Sequence, residues 1–182
     1  SLYKSYQTSE LPPRAEYLYK PYRVTDGTHD ITCFFRDDLL SDKIGFEYSK
    51  LHSNDAVRDF VSTLEHIQKT TPKGKHRVVS VILDGENAWE YYPYNGYYFL
   101  SELYQALAVH PDIEMTTFSE TLQMCADKSI ETADLPTVAA GSWVYGSFST
   151  WIGSPDKNYG WDLLCEAKKV YDKVMQSNQL NT

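Results

Sequence analysis

The chain has 182 residues, 42% hydrophobic and 23% charged, which are ordinary proportions for a globular domain with a sizeable core. Its formal net charge of −8 argues against a nucleic-acid partner, since phosphate binding needs a basic footprint. Without a run of about 18 apolar residues no membrane span is expected. Three widely spaced cysteines, Cys33, Cys125 and Cys165, with no CxxC, make neither a disulfide framework nor a thiolate zinc site, so a reducing, cytoplasmic setting is the simpler expectation.

Residues 1–28 carry Pro12, Pro13, Pro21 and Gly27 and little periodicity, and read as an irregular lead-in. Residues 31–35 are a short apolar run, expected as a strand, ending at Arg36, Asp37 and Asp38. A loop or short helical turn follows to Tyr48. From Asn54, the apolar residues Val57, Phe60, Val61, Leu64 and Ile67 keep helical spacing until Thr70, Thr71, Pro72 and Gly74 stop the helix. Residues 77–83 read as a second strand. Phe99, Leu100, Leu103, Tyr104 and Leu107 mark a helix stopped by His110 and Pro111.

Residues 113–116 look like a brief strand. Thr117 with Glu120 three residues on is a capping-box signature for a helix to about Lys128. Residues 137–145 begin as loop or strand, and 141–153 form a loop punctuated by Gly, Ser and Trp. Ser154 and Pro155 are a good entry for a last helix, 154–178, with Trp161, Leu164, Tyr171, Val174 and Met175 expected inward. The alternation of strand and helix implies an α/β fold with parallel strands.

The most informative stretch is 80–90, where an apolar run ends in Asp84, Gly85 and Glu86 with Trp89 close behind. Parallel α/β sheets and barrels place their chemistry at such strand ends. Asp84 is therefore a candidate catalytic acid, its carboxyl expected to be kept protonated by burial beside Trp89 and by a second carboxylate. Two other readings stay open: a Mg²⁺ site made by Asp84 and Glu86, and a strand-end aspartate capping the next turn.

Arg36 and Asp37 form either an orienting pair in a pocket or a structural ion pair. Tyrosine is abundant, 15 residues, and five of them lie in 91–98. Flat rings with polar tips suit a ligand that is both apolar and hydroxylated, such as a sugar, although they also suit a core. Trp143 is expected to face the site and Trp151 the core. No G-x-S-x-G elbow, P-loop or HExxH pattern occurs.

Four blocks in register resemble glycoside hydrolase family 57, the retaining family active on α-glucans. They are Phe35 to Asp37 with Leu40 to Tyr48; Leu83 to Glu90; Gly96 to Leu100 with Leu103 and Tyr104; and Gly141 to Trp143 through Gly153, followed by Trp161 to Leu164. The second and fourth resemble the family's fourth and fifth motifs. The resemblance implies a segment of an incomplete (β/α)7 TIM-like barrel with a C-terminal helix. It implies Asp84 as general acid/base and Trp143 as a substrate contact. Arg36, Asp37, Glu86 and Trp89 would line the pocket, and no cofactor is required.

The family's nucleophile is a glutamate in its third motif, which no residue here resembles. The chain is thus expected to be the C-terminal part of the barrel, partnered by a missing N-terminal half and inactive alone. The implied activity is that of a retaining glycosidase or glucan-transferring enzyme with an oligo- or polysaccharide substrate. A non-catalytic carbohydrate-binding relative and a Mg²⁺-dependent phosphotransfer domain remain as alternatives.

Overall fold

The computed structural model describes residues 13–71, 75–142 and 144–177. Pro72 to Gly74, part of the expected helix stop, and Trp143 lie outside the described residues, as does much of the expected lead-in. The described chain forms two compact units, one within 2–137 and the other within 138–182.

In the first unit, helix α1 (Arg14–Tyr17) leads into strands β1 (Tyr22–Thr25) and β2 (Asp30–Cys33). These pair as an antiparallel hairpin, with Tyr22 opposite Cys33 and Thr25 opposite Asp30. The turn between them is built by Asp26, whose carboxylate accepts the backbone N–H groups of Thr28 and His29 at 2.8 and 2.7 Å. Strand β3 (Ala133–Asp134) pairs with β1 in parallel, giving a small mixed sheet ordered β2-β1-β3. The expectation of a lead-in without structure over 1–28 is corrected by α1 and β1. The expectation of parallel strands throughout is corrected by the β1–β2 hairpin. A short hairpin carries little periodic signal, because four residues give only two per face.

Helix α2 (Asp38–Asp42) runs directly into a π-helical turn (Lys43–Glu47) and a 3-10 turn (Tyr48–Lys50). Helix α3 (Ser53–Lys69) buries Ala56, Val57, Phe60 and Ile67, as its spacing predicts. After a 3-10 turn (Pro93–Gly96), helix α4 (Tyr97–Ala108) buries Phe99, Leu103 and Leu107 and packs against α3. Burying each such side chain contributes about 1.5–3 kcal/mol. Helix α5 (Phe118–Ala126) begins with the full capping box: the Thr117 hydroxyl accepts the Glu120 N–H and the Glu120 carboxylate accepts the Thr117 N–H at 2.8 Å. Residues 113–116 are irregular rather than a strand.

The expected strand over 77–83 is extended chain without a regular ladder. Ser80 makes one parallel bridge to Arg36, the Asp37 N–H donates to the Ser80 carbonyl at 2.8 Å, and the Val78 N–H donates to that of Tyr19 at 3.1 Å. Its alternation is partial, since Ser80, on the face of Ile82 and Asp84, is itself buried. Val79, Val81 and Leu83 pack on the core, whereas Ile82 and Asp84 are exposed on the other face. Cys33 also packs against this core, and all three cysteines are free.

In the second unit, residues 144–153 form turns and α6 (Pro155–Gln176) follows. The helix is where the sequence places it, yet it buries no residue. Trp161, Leu164, Tyr171 and Met175, expected inward, are exposed, and so is Trp151, expected in the core. The reason is physical: local spacing makes a helix, whereas burial needs a second surface. The Trp161 indole N–H donates to the Trp151 carbonyl at 3.0 Å. A Cβ on Gly141 would lie 2.6 Å from the Gly146 carbonyl oxygen, so this loop closes tightly around a glycine. Among the described residues no helix is long and apolar enough to cross a membrane.

Candidate active site

The apolar 77–83 segment ends at Asp84, and a series of turns runs from Gly85 to Tyr91. Asp84 and Glu86 are both exposed, and among the described residues no hydrogen bond or ion pair engages either carboxylate. The expected burial of Asp84 beside Trp89 is therefore not present here. Ser41 braces the segment from α2, with its hydroxyl 3.4 Å from the Ile82 N–H.

Trp89 is half-buried. Its ring meets Tyr92 edge-on at 5.4 Å and Phe99 at 6.2 Å, which locks it to the start of α4. Tyr92 is held in turn by its hydroxyl, which donates to the Ile44 carbonyl in the π-helical turn at 2.6 Å. Burial pushes the Tyr92 phenol up to about 12, so it stays a neutral donor at any ordinary pH. Gly96 makes this packing possible: its φ is +81°, and a Cβ there would come within 3.1 Å of the indole. Over the exposed side of Trp89 lies a shallow cavity of about 400 Å³, lined by Gly85, Glu86, Ala88, Trp89, Glu90 and Asn95. Asn95 is not among the residues that the sequence singles out. The Asn-Gly pair at 95–96, a turn signal behind a tyrosine run, was the cue available.

Arg36 and Asp37 do not pair with each other. Arg36 is exposed and donates to Asp42. Asp37 is 1% exposed and caps α2, accepting the Leu40 N–H at 3.0 Å. It also accepts the Tyr19 hydroxyl at 2.6 Å and the Arg14 guanidinium at 3.1 Å. Arg14 bridges on to Asp38. Burial and the bond to Asp37 push the Tyr19 phenol well above its usual value. With its oxygens occupied this way, Asp37 belongs to the frame.

Beneath the π-helical turn, Asp59 of α3 accepts Lys43 at 2.7 Å and the Tyr48 hydroxyl at 2.6 Å, and these bonds hold its carboxyl below the usual range. Among the described residues no three His, Cys, Asp or Glu side chains cluster to hold a metal ion. Trp143, the remaining expected contact, lies outside the described residues.

The arrangement presents one free carboxyl just past an extended segment, a second carboxyl two residues on, and an aromatic cluster, Trp89 with Tyr92, fastened to α4. Such groups can exchange a proton with, and stack against, a neutral hydroxylated ligand. None of the curated proteins matches the chain. The sequence profile of Glycosyl hydrolase family 57 matches residues 7–136, which takes in the first three resembling blocks and leaves the fourth, with α6, beyond it. With well over half its length matched, the chain belongs to glycosyl hydrolase family 57.

Proposed function

We propose that this chain is part of a retaining glycosidase or glucan-transferring enzyme acting on α-glucans, with Asp84 as its general acid/base. The observation that carries the reading is the position of Asp84 within the family match. It is a free, exposed carboxyl at the end of the extended 77–83 segment, on the face opposite Val79, Val81 and Leu83, beside the Trp89 cavity. In a (β/α) barrel helices cover the outer face of each strand, so that opposite face is the one turned to the barrel interior and its strand-end site. The exposed Ile82 shares it.

In the first step Asp84 donates its proton to the departing glycosidic oxygen as a carboxylate nucleophile takes the anomeric carbon. In the second, Asp84 removes a proton from water or from a sugar hydroxyl that displaces the nucleophile. Retention needs the two carboxyls about 5–5.5 Å apart. The nucleophile is a glutamate outside these residues, since no segment here carries its motif. Glu86 accepts a sugar hydroxyl, Trp89 floors the subsite, and Arg36 borders it.

The test is Asp84→Asn in the full-length protein. We expect kcat/KM on maltooligosaccharides to fall roughly 10²–10⁴-fold, with less loss on an aryl glycoside whose leaving group needs no proton. Azide added to Asp84→Ala turning over that aryl glycoside should give a glycosyl azide of retained configuration. Azide needs no general base to displace the nucleophile, whereas water does. Activity within tenfold of wild type on unactivated substrate sinks the assignment.

A further inference from the structure

Resting on that reading of the site, we propose that Tyr94, Tyr97 and Tyr98 form a stacking platform that carries the substrate chain away from the Trp89 cavity and sets a preference for long glucans. Five of the eight residues 91–98 are tyrosine. Only Tyr92 is spent on the core. The rings of Tyr94, Tyr97 and Tyr98 are 75%, 64% and 50% exposed. They are nonetheless arranged: Tyr98 stands between the other two, meeting each ring at 5.4 Å with interplanar angles of 87° and 79°. Mutual edge contacts hold the three rings as a group and reduce the entropy lost when a ligand stacks on them.

The backbone adds a second observation. Tyr94 and Asn95 both sit at φ 52°, ψ 40°, the left-handed region that is costly for residues other than glycine. A glycine at 94 would make this turn without the cost. The large ring standing there is mostly exposed and meets Tyr98 only edge-on, and such strain gathers at ligand sites.

The platform adjoins a cavity-lining residue along the chain. Asn95, next to Tyr94, lines the cavity with Trp89, Glu86 and Glu90, and Gly96 lies against the Trp89 ring. The chemistry selects the occupant. Every ring carries a hydroxyl, so the surface is apolar on its faces and hydrogen-bonding at its tips. Glu86, Glu90 and Asn95 add acceptors and an amide beside it, and among the described residues no hydrogen bond engages those side chains. Two neighbouring carboxylates and a net charge of −8 disfavour an anionic ligand. A pyranose chain, neutral, with flat C–H faces and hydroxyl edges, matches both components.

The experiment compares kcat/KM of the full-length enzyme on maltotriose and maltoheptaose. Tyr98→Ala and Tyr97→Ala should each lower the value on maltoheptaose roughly 5- to 10-fold, mainly through KM, and leave maltotriose within about twofold. Tyr98→Phe should retain most of the long-chain preference. Tyr94→Gly should weaken maltoheptaose in the same way while raising Tm by about 2 °C, an uncoupling that a purely structural tyrosine would not give.

Equal losses on both substrates, or a change of oligomeric state on sedimentation, would overturn the platform, because each marks a packing or self-association surface. Asp84→Asn tests the acid/base assignment separately, and its failure leaves a length-dependent tyrosine effect standing. If no glucan is turned over, calorimetry with maltoheptaose decides: binding weakened by Tyr98→Ala supports the platform, and no binding overturns it.

Discussion

Two aspartates stand at the ends of neighbouring extended segments, and the protein treats them in opposite ways. Asp37 is buried and accepts an arginine, a tyrosine and a backbone N–H. Asp84, four residues past the Ser80 that bridges to Arg36, is exposed and unengaged among the described residues. A buried carboxylate must find partners, because an uncompensated one costs several kcal/mol. A carboxylate at a working site must instead stay free to meet a substrate. The contrast separates frame from chemistry more sharply than residue type does.

The largest break in this comparison should come from Asp37→Ala. It leaves the Tyr19 hydroxyl, the Leu40 N–H and the Arg14 charge without their acceptor, and we expect a loss of about 3–5 kcal/mol, read by urea denaturation. Gly96→Ala comes next. A side chain at φ +81° is strained and also presses on Trp89 at 3.1 Å, so about 1–2 kcal/mol should be lost. A shift in tryptophan emission should accompany it, because the indole is displaced.

Asp59 sharpens the frame side of the comparison through pH. Lys43 and Tyr48 hold its carboxyl below the ordinary value, so its contribution is fully present above about pH 4 and is lost as pH falls through the depressed value. Asp59 is partly exposed and solvent screens it, so the contribution is a fraction of a kcal/mol up to about 1. Asp59→Asn should flatten the acid limb of Tm against pH by that amount. Smallest of all should be the effect of Asp84→Asn on stability, within about 0.5 kcal/mol. A larger loss would mean that Asp84 belongs to the frame after all.

The helices α3, α4 and α5 were legible because each signal is local. Five apolar residues at helical spacing define α3, and a threonine with a glutamate three residues on defines the start of α5. The position of Asp84 just past an extended apolar segment was legible from the abrupt change after Leu83. The β1–β2 hairpin was not, nor was the lack of a regular ladder over 77–83. Hydrogen bonding between segments depends on which chain lies alongside, and residue order does not record that. Neither did Arg36 and Asp37 reveal that each would pair elsewhere, since Arg14 lies 23 residues from Asp37 in sequence.

Sequence by itself determined the helices α3 to α6, the carboxyl past Leu83, the tyrosine-rich turn and the family. Tertiary structure alone decided that Asp37 is a cap, that Trp89 is fastened to α4, that three tyrosines gather on the outside, and that α6 keeps its apolar residues exposed. The division has one cause. Backbone propensity and capping act over about four residues and are written in order along the chain. Burial and charge pairing depend on surfaces brought together from distant positions, and they exist only once the chain has folded.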